Sequence, residues 1–276
     1  MRLATIRTPQ GTRAVRVDAG RAVETGHPDV GSLLATTGWR EVAAAADGPD
    51  HDPAALDHAP VVPVPGKVFC IGLNYRNHIL EMGRELPQYP TVFTKFADAL
   101  IGASDDIVAP PESAAVDWEA ELAVVIGGMV RRASEASAAA AIAGFAVLND
   151  VTMRDWQYRT TEWTQGKTFE ATTPLGPMLV TPDELPGGVR PALPLSCSVD
   201  GEIMQKADTS DLVFDPVALV RYLSTIVTLR PGDVIATGTP GGVGHARKPP
   251  RYLAGGSTLV TEIGGIGRLT NQVRGE

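Results

Sequence analysis

Val116-Asp117-Trp118-Glu119-Ala120-Glu121-Leu122-Ala123-Val124-Val125-Ile126-Gly127 is the stretch on which the reading of this chain turns. It ends in a run of apolar residues that includes Val124-Val125-Ile126, which suits a buried strand. Residues two apart in a strand face the same side, so Glu119 and Glu121 project together beside residues that belong in a core. Two carboxylates on one face repel unless a proton or a cation separates them. Oxygen ligands of this kind suit Mg²⁺, Mn²⁺ or Ca²⁺. On spacing alone, a solvated strand entrance carrying two harmless acids is the more common meaning of Glu-x-Glu.

Three further segments add chemistry. Gly144-Phe145-Ala146-Val147-Leu148-Asn149-Asp150 carries Asp150 to the end of a very apolar run, where a lone charge is costly. It is either a third ligand or a turn and cap residue. In Asn74-Tyr75-Arg76-Asn77-His78-Ile79-Leu80-Glu81, His78 and Glu81 are three apart and share one side of a helical turn. That spacing fits a general base for water, or a surface ion pair. Lys167, in Gln165-Gly166-Lys167-Thr168, is either a charge stabiliser or a loop lysine. Thr239 lies in the glycine-rich Gly238-Thr239-Pro240-Gly241-Gly242, which lacks the Gly-Lys-Ser/Thr ending of a phosphate loop. It reads as a tight turn after a strand, with or without a ligand against it.

Around these segments the chain punctuates itself with Gly and Pro. Short strands are expected at Leu3–Arg7, Ala14–Val17, Val68–Gly72, Leu122–Ile126, Ala146–Leu148, Met178–Val180, Leu195–Val199 and Val234–Thr237. A helix is expected near Gly31–Thr36, a second from a Ser134 cap through Gly144, and a third from the Asp215-Pro216 cap signal to about Ile226. Strands and helices do not alternate regularly, which argues against a doubly wound fold. Residues 44–65, with Pro60, Pro63 and Pro65, read as an extended linker or a strap on the surface. A small N-terminal α/β subdomain and linker over 1–60 is expected to precede a catalytic domain over 61–276.

The 276 residues carry 24 Lys and Arg against 32 Asp and Glu, a net charge of −8. A negative chain has no general attraction for phosphate backbones or anionic lipid, so neither nucleic acid nor a membrane surface is expected as a partner. The longest apolar run, Ala138–Leu148, falls short of the roughly 20 residues of a membrane span. No apolar h-region follows Met1, so a cytoplasmic protein is expected. Two cysteines make neither a disulfide framework nor a thiolate zinc site, and Cys70 reads as core.

Taken in order, the segments Gly72–His78, Phe93-Thr94-Lys95, Asp117–Leu122, Asn149–Thr152 with Arg154-Asp155-Trp156-Gln157, Gly166-Lys167 and Thr237–Pro240 resemble the fumarylacetoacetate hydrolase family, from about Gly66 to Val273. The resemblance implies an α+β, mostly β fold: a mixed β-sandwich roll, usually a homodimer. It implies a divalent metal, Mg²⁺ or Mn²⁺ with Ca²⁺ in some members, on Glu119, Glu121 and Asp150. His78 and Glu81 match a water-activating dyad on a segment that can act as a lid. Gln157, Lys167 and Thr239 match substrate-contacting positions, and Arg76 and Lys95 in the matched segments are also expected to bind substrate. The run Ile71–Asn77 just before His78 holds no acid, unlike the animal-type founding enzyme with its fourth acidic metal ligand there, so the chain resembles the smaller bacterial branch.

The expected activity is hydrolysis of a C–C bond in a small acylpyruvate or other β-diketo acid. The 2-oxo acid is expected to chelate the metal, with Lys167 stabilising the enolate that leaves. Decarboxylation of an oxaloacetate-type acid, isomerisation of 2-hydroxy-diene-dioate ring-cleavage products, and a catalytically inactive metal-binding protein are the alternatives. Specificity is expected from Arg84, Tyr89, Lys95 and the Arg247–Arg251 stretch.

Overall fold

The computed structural model describes residues 1–276. Its spine is the strand Ala120–Ile126, every residue of which is buried. It pairs antiparallel with Ile142–Asn149 on one side and with Val234–Ala236 on the other. Alternation then sorts its side chains. Trp118, Ala120, Leu122, Val124 and Ile126 join one hydrophobic core, while Ala123 and Val125 join a second on the opposite face. Glu119 and Glu121 have the same parity as Ala123 and Val125, so they sit at the end of that second face.

The spine belongs to an eleven-stranded mixed sheet. From one edge its order is Asp50–His51, Arg21–Glu24, Gly11–Asp18, Arg2–Thr8, Thr173–Val180, Ile142–Asn149, Ala120–Ile126, Val234–Ala236, Val68–Gly72 and Thr91–Lys95, with Leu100–Ile101 pairing off this path. The pairing of Val234–Ala236 with Val68–Gly72 is parallel. A five-stranded sheet, ordered Glu202–Asp208, Pro194–Val199, Thr258–Ile263, Gly267–Gly275 and Ile107–Ala109, packs against it. The fold is therefore the mostly β, mixed two-sheet roll expected. The N-terminal strands are not separate from the rest: Arg2–Thr8 pairs with Thr173–Val180 and so extends the main sheet.

Asp215 caps the helix Pro216–Ile226 by accepting from the Ala218 amide at 2.9 Å, with Pro216 in the first turn. Ser134 caps a second helix as expected, but that helix ends at Ala141, not Gly144. Ile142–Gly144 instead open the next strand. Gly144 has a packing reason to be glycine there, since a Cβ would stand 2.3 Å from the Val180 carbonyl oxygen of the neighbouring strand. The segment 59–62 also departs from the surface strap expected of it. Val61 and Val62 are buried in the second core, Val61 donates to the Leu175 carbonyl, and Thr5 Oγ1 donates to the Val61 carbonyl at 2.8 Å. Removing two adjacent valines from water draws this segment, with Pro60, into the core. Cys70 and Cys197 are both buried and free. No helix is long and apolar enough to cross a membrane.

Candidate metal centre and active site

The register of the spine builds the site. Ala120 pairs with Asn149, and the Asp150 amide donates to the Glu119 carbonyl at 2.8 Å. Asp150 therefore lies alongside Glu119 where the two strands leave the core. Asn149 locks this crossing: its Oδ1 accepts from the Glu119 amide and its Nδ2 donates to Thr261 Oγ1. Glu119, Glu121 and Asp150 are 7%, 1% and 0% exposed, and their ligating oxygens lie within 4.8 Å of one another. The three acids thus form one cluster.

Buried cations surround it. Lys167 Nζ donates to Glu119 Oε2 and Asp150 Oδ2, each at 2.7 Å. Lys95 Nζ donates to Asp150 Oδ1 at 2.6 Å and to the Val151 carbonyl at 3.1 Å. Arg154 Nε donates to Asp117 Oδ2 at 2.8 Å, and its Nη1 donates to Gln157 Oε1 at 2.9 Å. Arg154 Nη2 stands 2.7 Å from Glu119 Oε1, close enough to pair as ions but outside hydrogen-bonding geometry. Four buried carboxylates, Asp117 included, thus face three buried cations. Glu121 is the acid without a cationic partner; its Oε2 accepts from the Gly238 amide at 2.7 Å.

The protonation pattern follows. Burial, reinforced by Asp150 and Glu119, pushes the Glu121 carboxyl well above the ordinary range. Burial also works to raise Asp150, but the ammonium groups of Lys167 and Lys95 outweigh it and hold this carboxyl below its usual value. Lys167 stays protonated, because Asp150 and Glu119 more than offset its desolvation. Three hard oxygen donors, of which Glu121 alone lacks a cationic partner, suit a divalent cation such as Mg²⁺ or Mn²⁺.

Above the cluster is a cavity of about 310 Å³, whose lining includes Glu119, Lys167, Gln157, Thr239 and His78. His78 is half-buried on the short helix Arg76–Glu81, and burial lowers its pKa against the pull of Glu81 and Glu119. Glu81 is exposed on the same turn, and no hydrogen bond or ion pair links it to His78; both line an adjoining cavity with Gly241. Thr239 Oγ1 donates to the Ala120 carbonyl and accepts from Gln205 Nε2, so its hydroxyl is already engaged.

Two expected substrate contacts are placed elsewhere. Arg76 is exposed and lines neither cavity. Lys95 is buried and outside the cavity lining, where its ammonium is taken up by Asp150 and the Val151 carbonyl. Of the specificity candidates, Arg84 lines the cavity, whereas Tyr89 stacks near Tyr222, Arg247 donates to backbone carbonyls and Arg251 pairs with Glu202. Three functional groups have no assigned part in the sequence reading. Asp117 accepts from Arg154 and from the amides of Trp118, Gly244 and His245. Its period-two spacing with Glu119 and Glu121 was the available signal. For Arg154 the signal was its place in the segment Arg154-Asp155-Trp156-Gln157, whereas Gln205, which braces the Ala120 amide, carried none.

Fold and site together define a mixed-β protein with a buried carboxylate centre fitted to a divalent cation. Residues 67–274 match the fumarylacetoacetate (FAA) hydrolase C-terminal family. The chain is 45% identical over 210 residues to the mitochondrial oxaloacetate tautomerase Fahd2a of Rattus norvegicus, covering 76% of this chain and 66% of that protein, just under two thirds of its length. Its fold matches the fumarylacetoacetate hydrolase of Exiguobacterium antarcticum with a TM-score of 0.89 at 30% identity, over 100% of both chains. It matches maleylpyruvate hydrolase of Sphingobium sp. SYK-6, solved in complex with manganese(II) and pyruvate, with a TM-score of 0.81 at 27% identity over 100% and 99% of the chains. The chain belongs to the fumarylacetoacetate hydrolase family, a family of enzymes.

Proposed function

We propose that this protein catalyses keto–enol tautomerisation of a small 2-oxo dicarboxylic acid of the oxaloacetate class. The observation that carries the reading is Lys167 at the cavity floor: two of its three donors hold Glu119 and Asp150, which leaves the third for a substrate oxygen. The 45% identity to an oxaloacetate tautomerase supports the choice of reaction. Glu119, Glu121 and Asp150 would hold Mg²⁺ or Mn²⁺. Such a cation supplies Lewis acidity toward the 2-oxo group and its neighbouring carboxylate.

The chain's own residues do the rest. Burial keeps the His78 imidazole neutral at neutral pH, so it can accept the C3 proton. The electrons of that C–H bond form the C2–C3 double bond, and negative charge moves to the C2 oxygen. Lys167 donates a hydrogen bond to that oxygen, a proton from water completes the enol, and the His78 imidazolium returns its proton to solvent. The reverse direction uses the same groups. Positioned proton transfer of this kind is worth about 10²–10⁴-fold.

A second reading uses the same site for hydrolysis of an acylpyruvate, as expected from the sequence. The placement of His78 and Glu81 on one turn beside the cavity favours it, since a carboxylate there could orient the imidazole toward water. Water would add to the distal carbonyl with loss of a proton to His78. The C–C bond would break, its electrons would enter a pyruvate enolate beside Lys167, and that carbon would then be protonated.

The test is one set of assays on protein loaded with Mn²⁺ or Mg²⁺. Loss of the enol absorbance of oxaloacetate above the spontaneous rate, without CO₂ release or acetylpyruvate cleavage, supports tautomerisation. Cleavage of acetylpyruvate to pyruvate and acetate, without accelerated tautomerisation, moves the assignment to the hydrolase. Turnover of neither, in protein whose Tm rises with metal, leaves an inactive metal-binding protein.

A further inference from the structure

The far end of the cavity carries a group that neither reading uses. His245 lines the same cavity as Glu119 and Lys167, yet it is exposed where they are buried, so it stands on the solvent side. Its placement is built. The His245 amide donates to Asp117 Oδ2 at 3.0 Å and the Gly244 amide to Asp117 Oδ1 at 2.7 Å. Asp117 is also the acid that holds Arg154 Nε at the floor. One buried carboxylate therefore fixes both the floor and the loop that presents His245.

The ring is oriented as well. His245 Nδ1 lies 2.9 Å from the Tyr252 hydroxyl, and the ring packs against Tyr158 with centroids 5.3 Å apart. Nε2 has no protein partner. The other charged group on this side is Arg84, which lines the cavity and makes no ion pair or side-chain hydrogen bond. By contrast, Arg247 and Arg251, further along the His245 loop, are already engaged.

We propose that His245 and Arg84 form a subsite for the second carboxylate of the substrate, selecting 2-oxo dicarboxylic acids over monocarboxylic ones. The proposal rests on the preceding reading insofar as the first carboxylate and 2-oxo group lie at the Glu119–Glu121–Asp150 centre. With the Tyr252 hydroxyl donating to His245 Nδ1, the ring proton sits on Nε2, which then donates in a fixed direction. The Arg84 guanidinium, in the segment just after the helix Arg76–Glu81, can engage the same anion with two parallel bonds. Neither contact takes part in proton transfer.

Binding of inert ligands tests this apart from turnover. Malate and lactate share the 2-hydroxy acid group and differ in the distal carboxylate. Titration calorimetry on the Mn²⁺-loaded protein is expected to show malate binding at least roughly tenfold more tightly than lactate, the gap of one charge-assisted contact. His245→Ala and Arg84→Ala should each shrink that ratio, and the double variant should bring it close to one. Tyr252→Phe, which removes the tether and keeps the ring, should shrink it less than His245→Ala. A ratio near one in the unaltered protein, or one preserved in the double variant, overturns the subsite and leaves the centre intact. If neither acid binds the metal-loaded protein, chelation at the centre is wrong and the subsite fails with it.

Discussion

Lys95 and Asp150 meet with no solvent between them: Nζ to Oδ1 is 2.6 Å, and both side chains are fully buried. Neither residue lines the cavity. Asp150 is therefore gripped from two sides, by Lys95 and by Lys167, and is ionised whether or not substrate is present. Replacing Lys95 with Met should cost stability, because a buried carboxylate loses half its compensation. The expected loss is about 3 kcal/mol, at the low end for breaking a buried pair because Lys167 remains. In thermal unfolding of metal-free protein this should lower Tm by roughly 5–10 °C. The cluster then carries more negative charge, so the rise in Tm on adding Mn²⁺ should be larger in K95M than in the unaltered protein. An unchanged metal-free Tm would contradict the buried pairing.

Glu121 is under opposite stress, with its carboxyl raised by burial and by two neighbouring acids. A group whose folded pKa lies above its unfolded value contributes stability that is complete below that value, here 4.5, and is lost as pH rises through the folded one. Metal-free protein should thus lose stability over that window as pH increases. Glu121→Gln removes the titrating group and should flatten that part of the Tm-against-pH curve measured in EDTA. The same variant should abolish most of the Tm increase caused by Mn²⁺. A variant with the parent's pH slope and metal response would show that Glu121 is not a ligand.

Much of this centre is legible in the chain because it rests on strand periodicity. Glu119 and Glu121 share a face by alternation, and the apolar run ending at Asn149 delivers Asp150 to the same end of the sheet. The helix beginning at Pro216 is legible because Asp215 supplies a capping oxygen and proline a preset φ. Other features depend on pairings distant in sequence. Ile142–Gly144 read as helix because a buried strand and a buried helix are both continuous apolar runs, and only the close approach of Val180 to Gly144 decides. Val61 and Val62 follow a proline and read as strap; their burial needs the core formed by Leu3, Leu148 and Leu175. The role of Lys95 is equally hidden, since the residue it grips lies 55 positions away.

His78 offers a kinetic handle. Burial lowers its pKa below the ordinary 6.5, outweighing the opposite pull of Glu81 and Glu119. A base of this kind is lost only when protonated, so the acid limb of the kcat/KM profile should fall below pH 6.5. His78→Ala should remove that limb and reduce turnover by about 10²-fold or more while the metal-induced Tm rise persists. His78→Ala retaining full activity would remove the imidazole from the mechanism. An acid limb above pH 6.5 would mean that another group titrates.

Gly241 sets how closely the His78 helix seats on the turn that follows Thr239. A Cβ built on Gly241 would lie 3.0 Å from His78 Nδ1 and 3.7 Å from Glu81 Oε2. The first distance is tighter than carbon and nitrogen accept, so the imidazole must move by a few tenths of an ångström or its helix must lift. Gly241 and its neighbour Gly242 are only half-buried, so the change should cost little in global stability. Its effect should appear in catalysis, where small misplacements of a reacting group are expensive. Gly241→Ala is expected to lower kcat/KM by about tenfold or more, with Tm within about 2 °C of the parent and the Mn²⁺ response intact. Gly241→Ser, slightly larger, should do at least as much harm. Full activity in both would show that the helix bearing His78 does not need this seat, and would place the productive position of the imidazole elsewhere in the cavity.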